Sequence, residues 1–277
     1  MIKDVIVNLE HDVARDRARD FAISVAESFD AHIVGVTFVY VPEFPGYVTP
    51  QLQPEMLDQM IEASKKVAMA AIDQFDAAAG SSQLSAEHRL LRTMGEGAPT
   101  MLAKLVRRFD LGVFMQSDTK RVQNDALIER SLFQSGRPLI VVPYVQRDRL
   151  KLDRIVCCWD GSNTAARAIN DALPLLVRAT TVKLLIVLDE KTKNDGHESR
   201  GAQMADHLAR HDVKVEVEVM PAPDIDVASV ILSYVADCSA SLIVMGGYGH
   251  ARIREFILGG VTREMLKSMT VPVFMSH

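Results

Sequence analysis

Apolar runs rich in β-branched residues recur along this chain, separated by segments of helical period, and no other feature constrains the fold as tightly. In the N-terminal half the strand-like runs are Asp4–Leu9, His32–Tyr40, His88–Thr93, Leu111–Gln116 and Pro138–Val145. Between them lie Val13–Phe29, Met56–Ala79 and Thr100–Phe109, each with an apolar stripe. The C-terminal half repeats the plan. Its predicted strands are Arg154–Trp159, Lys183–Leu188, Lys214–Met220, Leu242–Gly246 and Pro272–Met275, and its predicted helices are Thr164–Arg178, Glu198–Arg210, Ile225–Ala236 and Val261–Ser268. Strands that alternate with helices pair in parallel through right-handed crossovers, which predicts an α/β layered fold. Near-continuous apolar strands such as Leu242–Met245 predict a sheet covered on both faces.

At 277 residues the chain accommodates two such units, 1–147 and 152–277, with the charged segment Gln146–Asp153 as a short linker. The halves align at an offset of 150 for the first strands, Val5 onto Ile155, and 130 for the fourth, Met115 onto Met245. The first half thus carries about 20 extra residues between those strands, placed in the Pro-containing stretch Pro42–Asp58. The final strands align at 134, Pro138 onto Pro272, so the first half is about four residues shorter where the second has its glycines. Those two final strands are edge candidates, and an antiparallel pairing across a pseudo-two-fold would cover edges that otherwise invite aggregation. An intramolecular pseudo-dimer is expected on these grounds, with a homodimer of chains as a further option.

Composition narrows the partners. A net charge of −5 and a sequence pI of about 5.9 supply no general field for phosphodiester backbones, so no nucleic-acid partner is expected. No run approaches the ~20 apolar residues of a membrane span, and Met1–Asp4 leads into a strand-like run without a signal segment. Three cysteines, Cys157, Cys158 and Cys238, form no disulfide framework and read as structural thiols of a reducing compartment. A soluble, cytoplasmic protein is the expectation.

The chemistry concentrates in Met245-Gly-Gly-Tyr-Gly-His-Ala-Arg-Ile-Arg-Glu-Phe-Ile-Leu-Gly-Gly-Val-Thr262, which follows a buried strand and leads into a helix. Gly246 and Gly249 allow positive φ and close approach of a ligand. Gly259 and Gly260 precede a helix N-terminus, where free N–H groups and the macrodipole favour an anion, and Thr262 adds a hydroxyl in the first turn. The segment reads as a phosphate cradle; the alternative is that the glycines only punctuate a turn. Beside it in an open parallel sheet lies the end of the first strand of this half, Cys158-Trp159-Asp160-Gly161-Ser162. Asp160 can accept from ribose hydroxyls or an adenine amine. Asp160 and Ser162 are equally suited to cap the helix that follows.

The spacing Gly246-x2-Gly249-x9-Gly259 after an apolar strand ending in Met, together with Asp-Gly-Ser after the first strand, resembles the universal stress protein family. The resemblance covers the chain as a tandem pair. It implies two doubly wound five-stranded parallel sheets of order 3-2-1-4-5, adenine-nucleotide alpha-hydrolase-like, and in the ATP-binding branch a bound ATP or AMP, with or without Mg2+. Carried over, Asp160 meets the ribose or adenine, and backbone around Val187 meets the base. Met245 and Gly246 flank the nucleoside, while Gly249, Gly259, Gly260, Val261 and Thr262 meet phosphates. The sequence departs from the family pattern at Gly260, where Ser or Thr is usual; one hydroxyl donor to phosphate is lost and the backbone N–H stays.

The first half departs further. Its first strand ends Asn8-Leu9-Glu10-His11, and its fourth leads into Gln116-Ser117-Asp118-Thr119-Lys120 with no glycine before Gly136. A carboxylate and a shortened segment oppose a phosphate there, so one competent site per chain is expected. Other motifs fail. Gly247-Tyr-Gly249-His-Ala-Arg252 lacks the third glycine of a dinucleotide fingerprint, no G-x4-G-K-[ST] or G-x-S-x-G exists, and His197-Glu198 lacks the second histidine of a zincin helix. His250, Arg252 and Arg254 read as a solvated face, and Met56, Met60 and Met69 as core or a partner face. The leading functional expectation is a stress-response or signalling module that binds an adenine nucleotide in its C-terminal half and regulates an unidentified protein partner. It is at most a slow ATPase. The alternative is a nucleotide-free interaction protein whose glycines are structural.

Overall fold

The computed structural model describes residues 1–11, 15–44, 54–95, 97–117, 123–188, 197–222, 225–247 and 260–277. The first half runs β1 (Asp4–Asn8), α1 (Arg17–Phe29), β2 (His32–Val41), α2 (Pro54–Ser81), β3 (Ala86–Met94), α3 (Gly97–Val106), β4 (Leu111–Met115), α4 (Gln123–Ser135) and β5 (Leu139–Val142). The second runs β6 (Arg154–Cys158), α5 (Asn163–Asp171), α6 (Leu173–Leu176), β7 (Thr181–Leu188), α7 (His197–Ala209), β8 (Val215–Pro221), α8 (Val227–Asp237), β9 (Leu242–Gly246), α9 (Gly260–Ser268) and β10 (Val273–Ser276).

These strands form one ten-stranded sheet of order β3-β2-β1-β4-β5-β10-β9-β6-β7-β8. Read inward from its own outer edge, each half has the order 3-2-1-4-5, all parallel. The halves join where β5 and β10 pair antiparallel, Ile140 opposite Phe274. Strands of the two halves therefore point in opposite directions, and their carboxyl ends lie at opposite margins of the sheet. The linker is tied to α1: the Leu150 N–H donates to Ser24 Oγ at 2.8 Å, Arg17 Nη1 donates to the Gln146 carbonyl at 2.8 Å, and Arg149 pairs with Glu27.

One core layer lies under α1, α2, α5 and α7, with Val5, Val7, Phe21, Phe75, Ile155 and Cys157. The other lies under α3, α4, α8 and α9, with Ile6, Phe38, Leu102, Val156, Met245 and Met265. Strand residues alternate between the layers, as a sheet covered on both faces demands.

Three expectations are corrected. Pro138–Val145 contracts to Leu139–Val142 because Pro143 has no N–H to donate and opens a turn closed by Gln146 N–H on its carbonyl. Pro174 likewise divides the expected helix Thr164–Arg178 into α5 and the short α6. The extra length of the first half is not confined to Pro42–Asp58, since α2 has 28 residues against 13 for α7, and Pro54–Asp58 is its first turn. Residues 45–53 of that stretch lie outside the described residues.

The alignment of the fourth strands also shifts by one. Val5 pairs with Leu111 and Ile155 with Leu242, so an offset of 150 for the first strands gives 131 for the fourth. Met115 therefore corresponds to Gly246 and Gln116 to Gly247. Core membership agrees, because Met115 faces the α1 layer while Met245 faces the α9 layer. A slip of one residue exchanges faces, so the offset of 130 is excluded.

Candidate functional site

From β6 the chain crosses to β7 on one side, and later to β9 on the other. The crevice between the carboxyl ends of β6 and β9 is thus the switch point of the second half, the place where open α/β sheets bind ligands. Crossover helices run back against their strands, so α9, between β9 and β10, presents its N-terminus at this margin.

The turn after β6 is built by three residues. Ser162 caps α5, its Oγ accepting from Ala165 N–H at 3.1 Å. Gly161 has φ +76°, a left-handed conformation that favours glycine. Asp160 Oδ1 accepts from Ser162 N–H at 2.9 Å. Asp160 supports the turn and leaves the capping to Ser162. Its side chain is exposed, and Oδ2 has no partner among the described residues.

Val187 and Cys158 pack against the core layer that contains Met245, Met265 and Met275, so the strand ends of β6, β7 and β9 present an apolar wall on the α9 side. Met245 is buried within that wall. Gly246 turns to the other face. A Cβ there would stand 2.6 Å from Ala165 N and 2.7 Å from Thr164 C, so this glycine is required by close packing of the protein's own helix start. Its φ is not in the left-handed range, which corrects the expectation of a positive φ. At Gly247 a Cβ would meet Leu132 Cδ2 of α4 at 2.6 Å, a contact with the first half.

Gly260 opens α9, exposed, with nothing within 4 Å of where its Cβ would be. Val261 is 37% exposed, and Thr262 is buried at 4%. The first N–H groups of a helix have no intrahelical acceptor, so the start of α9 can receive an anion. Gly249 and Gly259, with His250, Arg252 and Arg254, lie outside the described residues.

Trp159, the sole tryptophan, packs against the α5 layer, and its buried Nε1 has no hydrogen-bond partner among the described residues. Burial, reinforced by the charge of Asp160, pushes the Cys158 thiol up to about 12, and burial pushes Cys157 up as well; both stay protonated and inert. Among the described residues no three His, Cys, Asp or Glu side chains are grouped to hold a metal, and no helix is long and apolar enough to cross a membrane.

The corresponding margin of the first half is filled by its own side chains. Glu10, in the place of Asp160, is buried and accepts from Asn124 Nδ2 at 3.1 Å; its N–H donates to Asp16 Oδ2 at 2.9 Å. Asn124 also donates to the Met115 carbonyl at 3.2 Å. It sits in the first turn of α4, which has 13 residues against nine for α9. Desolvation raises the Asp16 carboxyl above its usual range, against the pull of hydrogen bonds from Arg19 and Glu10 N–H groups. Sequence reasoning saw the acid at Glu10 but missed Asn124, a plain polar residue in a helix start.

The universal stress protein family matches residues 151–277. A universal stress protein of Synechocystis sp. is 26% identical over 149 residues, which cover 53% of this chain and 50% of that protein, so the chain spans about half the length of this curated relative. A universal stress protein from Archaeoglobus fulgidus DSM 4304 superposes with a TM-score of 0.70 at 15% identity, covering 99% of this chain and 95% of the other. A protein of unknown function from Pseudomonas aeruginosa PAO1 gives a TM-score of 0.64 at 13% identity over 99% and 92% of the two chains. At such identities these structures establish the fold, with both halves included. The chain is therefore similar to universal stress proteins, in sequence through residues 151–277 and in fold along both halves.

Proposed function

We propose that this stress-response protein binds an adenine nucleotide, ATP or AMP, at the switch point of its C-terminal half and alters its affinity for a protein partner accordingly. The observation that carries this reading is the open start of α9: Gly260 and Val261 stand exposed at the margin where β6 ends in Asp160. Phosphates fit the start of a helix, where the first N–H groups have no intrahelical acceptor. A ribose hydroxyl fits the unpartnered Asp160 Oδ2, and a base fits the apolar wall that includes Val187. Gly249, Gly259 and Thr262 complete the assignment as phosphate neighbours, and Mg2+ would enter with ATP. The same protein then acts through conformation, with hydrolysis slow or absent.

The test is to denature freshly purified protein, prepared without added nucleotide, and identify what the supernatant holds, then to titrate the emptied protein with ATP and AMP. Adenine nucleotide that copurifies or binds, and is lost in Gly249→Asp, is the expected result. No binding up to millimolar nucleotide would overturn the reading.

One observation favours a second reading. Gly246 is accounted for by its packing on α5, without a ligand. On that reading the chain is a nucleotide-free interaction protein, and Gly249→Asp leaves partner binding unchanged.

A further inference from the structure

Gln116 directly follows β4 in the first half and is 1% exposed. Its Nε2 donates to the carbonyls of Leu266, at 2.8 Å, and Lys267, at 3.1 Å, in the last turn of α9 in the other half. Its Oε1 accepts from Tyr144 N–H at 3.0 Å, just beyond β5, and its own N–H donates to the Val142 carbonyl at 2.9 Å. A helix ends with carbonyls that lack intrahelical donors, and a buried helix end needs partners for them. Here one side chain from a residue 150 positions away supplies two.

The pseudo-two-fold gives this contact a counterpart that differs in kind. Gly247, which corresponds to Gln116, faces α4 and receives Leu132 in the space its missing side chain leaves. The first half's helix is thus held by apolar packing, while the second half's helix is held at its carbonyls by directional bonds. The helix so held is the one whose first turn is the proposed phosphate site. α9 is about 13 Å long at 1.5 Å per residue, short enough that a tilt at its last turn displaces its first.

We infer that Gln116 is a positioning residue for the ligand site of the opposite half: it grips the carboxyl end of α9 and so fixes where the N–H groups of Gly260, Val261 and Thr262 point. The margin of the first half that corresponds to a nucleotide site serves as the clamp for the working one. This rests on the reading of the C-terminal site as nucleotide-binding, and the test separates the two.

Gln116→Leu removes donors and acceptor at similar size, and Gln116→Glu keeps the acceptor for Tyr144 but not the paired donors. Val25→Ala, in the α1 layer of the core, serves as a control that lowers stability without touching α9. Nucleotide affinity is measured by titration, and hydrogen exchange is followed over residues 260–268. Both Gln116 variants are expected to bind about tenfold more weakly and to exchange faster in α9, while Val25→Ala does neither. Wild-type affinity and exchange in Gln116→Leu, or equal losses in Val25→Ala, would overturn the inference. If the wild-type protein binds no adenine nucleotide, the functional reading fails by itself; faster exchange confined to 260–268 then upholds the grip, and unchanged exchange sinks it.

Discussion

Gly246 and Gly260 answer to different physics. Gly246 cannot be replaced without a clash, since a Cβ would press on backbone atoms of Thr164 and Ala165 that have nowhere to go. Gly260 has open space on its Cβ side and no left-handed φ, so the fold makes no demand for glycine there. It also costs the helix some intrinsic propensity. A hydroxyl at this first helical position would sit beside the N–H groups that the proposed phosphate uses. A hydrogen bond to a charged group contributes about 1.5–3 kcal/mol, and each 1.4 kcal/mol is tenfold in affinity. Gly260→Ser is therefore expected to tighten nucleotide binding roughly tenfold or more with no loss of stability. Trp159, alone in the chain and adjacent to Asp160, provides the fluorescence signal for the titration. Unchanged affinity would mean that no phosphate lies at Gly260.

Helix α2 carries two different surfaces along its length. Ala68, Ile72, Phe75 and Ala79 form a buried stripe at helical spacing, and Phe75 is fully enclosed, close against Gly35 of β2. The turns before it leave Met56 and Met60 exposed at 53% and 40%. Phe75→Ala should cost about 3–5 kcal/mol, as for other buried aromatics. Met60→Lys should fall within about 0.5 kcal/mol, as for surface sites without a special role. Urea unfolding checks both; a comparable loss for Met60→Lys would mean that this face is covered in solution. The same helix shows where sequence reading fails. Its core stripe was legible from period alone, whereas Pro54 and Glu55 fell outside the expected helical segment Met56–Ala79, although proline is well placed in a first turn. Strands were legible because β-branched runs such as Ile33–Val36 admit little else. Their register was not: Met115 and Met245 look alike in sequence, and only the faces they take in the sheet show that Phe114 is the true counterpart of Met245. Gln116 read only as the end of the predicted strand Leu111–Gln116, because its partners in α9 lie about 150 positions away. Asp160 and Ser162 were both legible as site or cap candidates, but only hydrogen bonds assign the cap to Ser162 and the turn to Asp160.

At the scale of the whole molecule, one sheet joins two copies of a fold with unlike ends. Because β5 and β10 run antiparallel, the two switch points sit at opposite margins, and a ligand at one cannot touch the other directly. Their contents also differ in sign and in space. At the second half's margin the start of α9 is open, and the nearby acid, Asp160, is exposed and screened by solvent. At the first half's margin Glu10 and Asp16 are buried beside each other, and Asn124 occupies the first turn of α4 with its amide on Glu10 and on the end of β4. A phosphate placed there would have to displace Asn124 and approach carboxylates in a medium that screens them poorly. Removing one charge would not open the space, because Asn124 still caps the Met115 carbonyl. Calorimetric titration is therefore expected to give one adenine nucleotide per chain, and Glu10→Gln is expected to leave that stoichiometry at one. Two equal sites per chain would sink the asymmetry. A second site appearing in Glu10→Gln would show that charge alone, and not the side chains filling the crevice, had kept the first half empty.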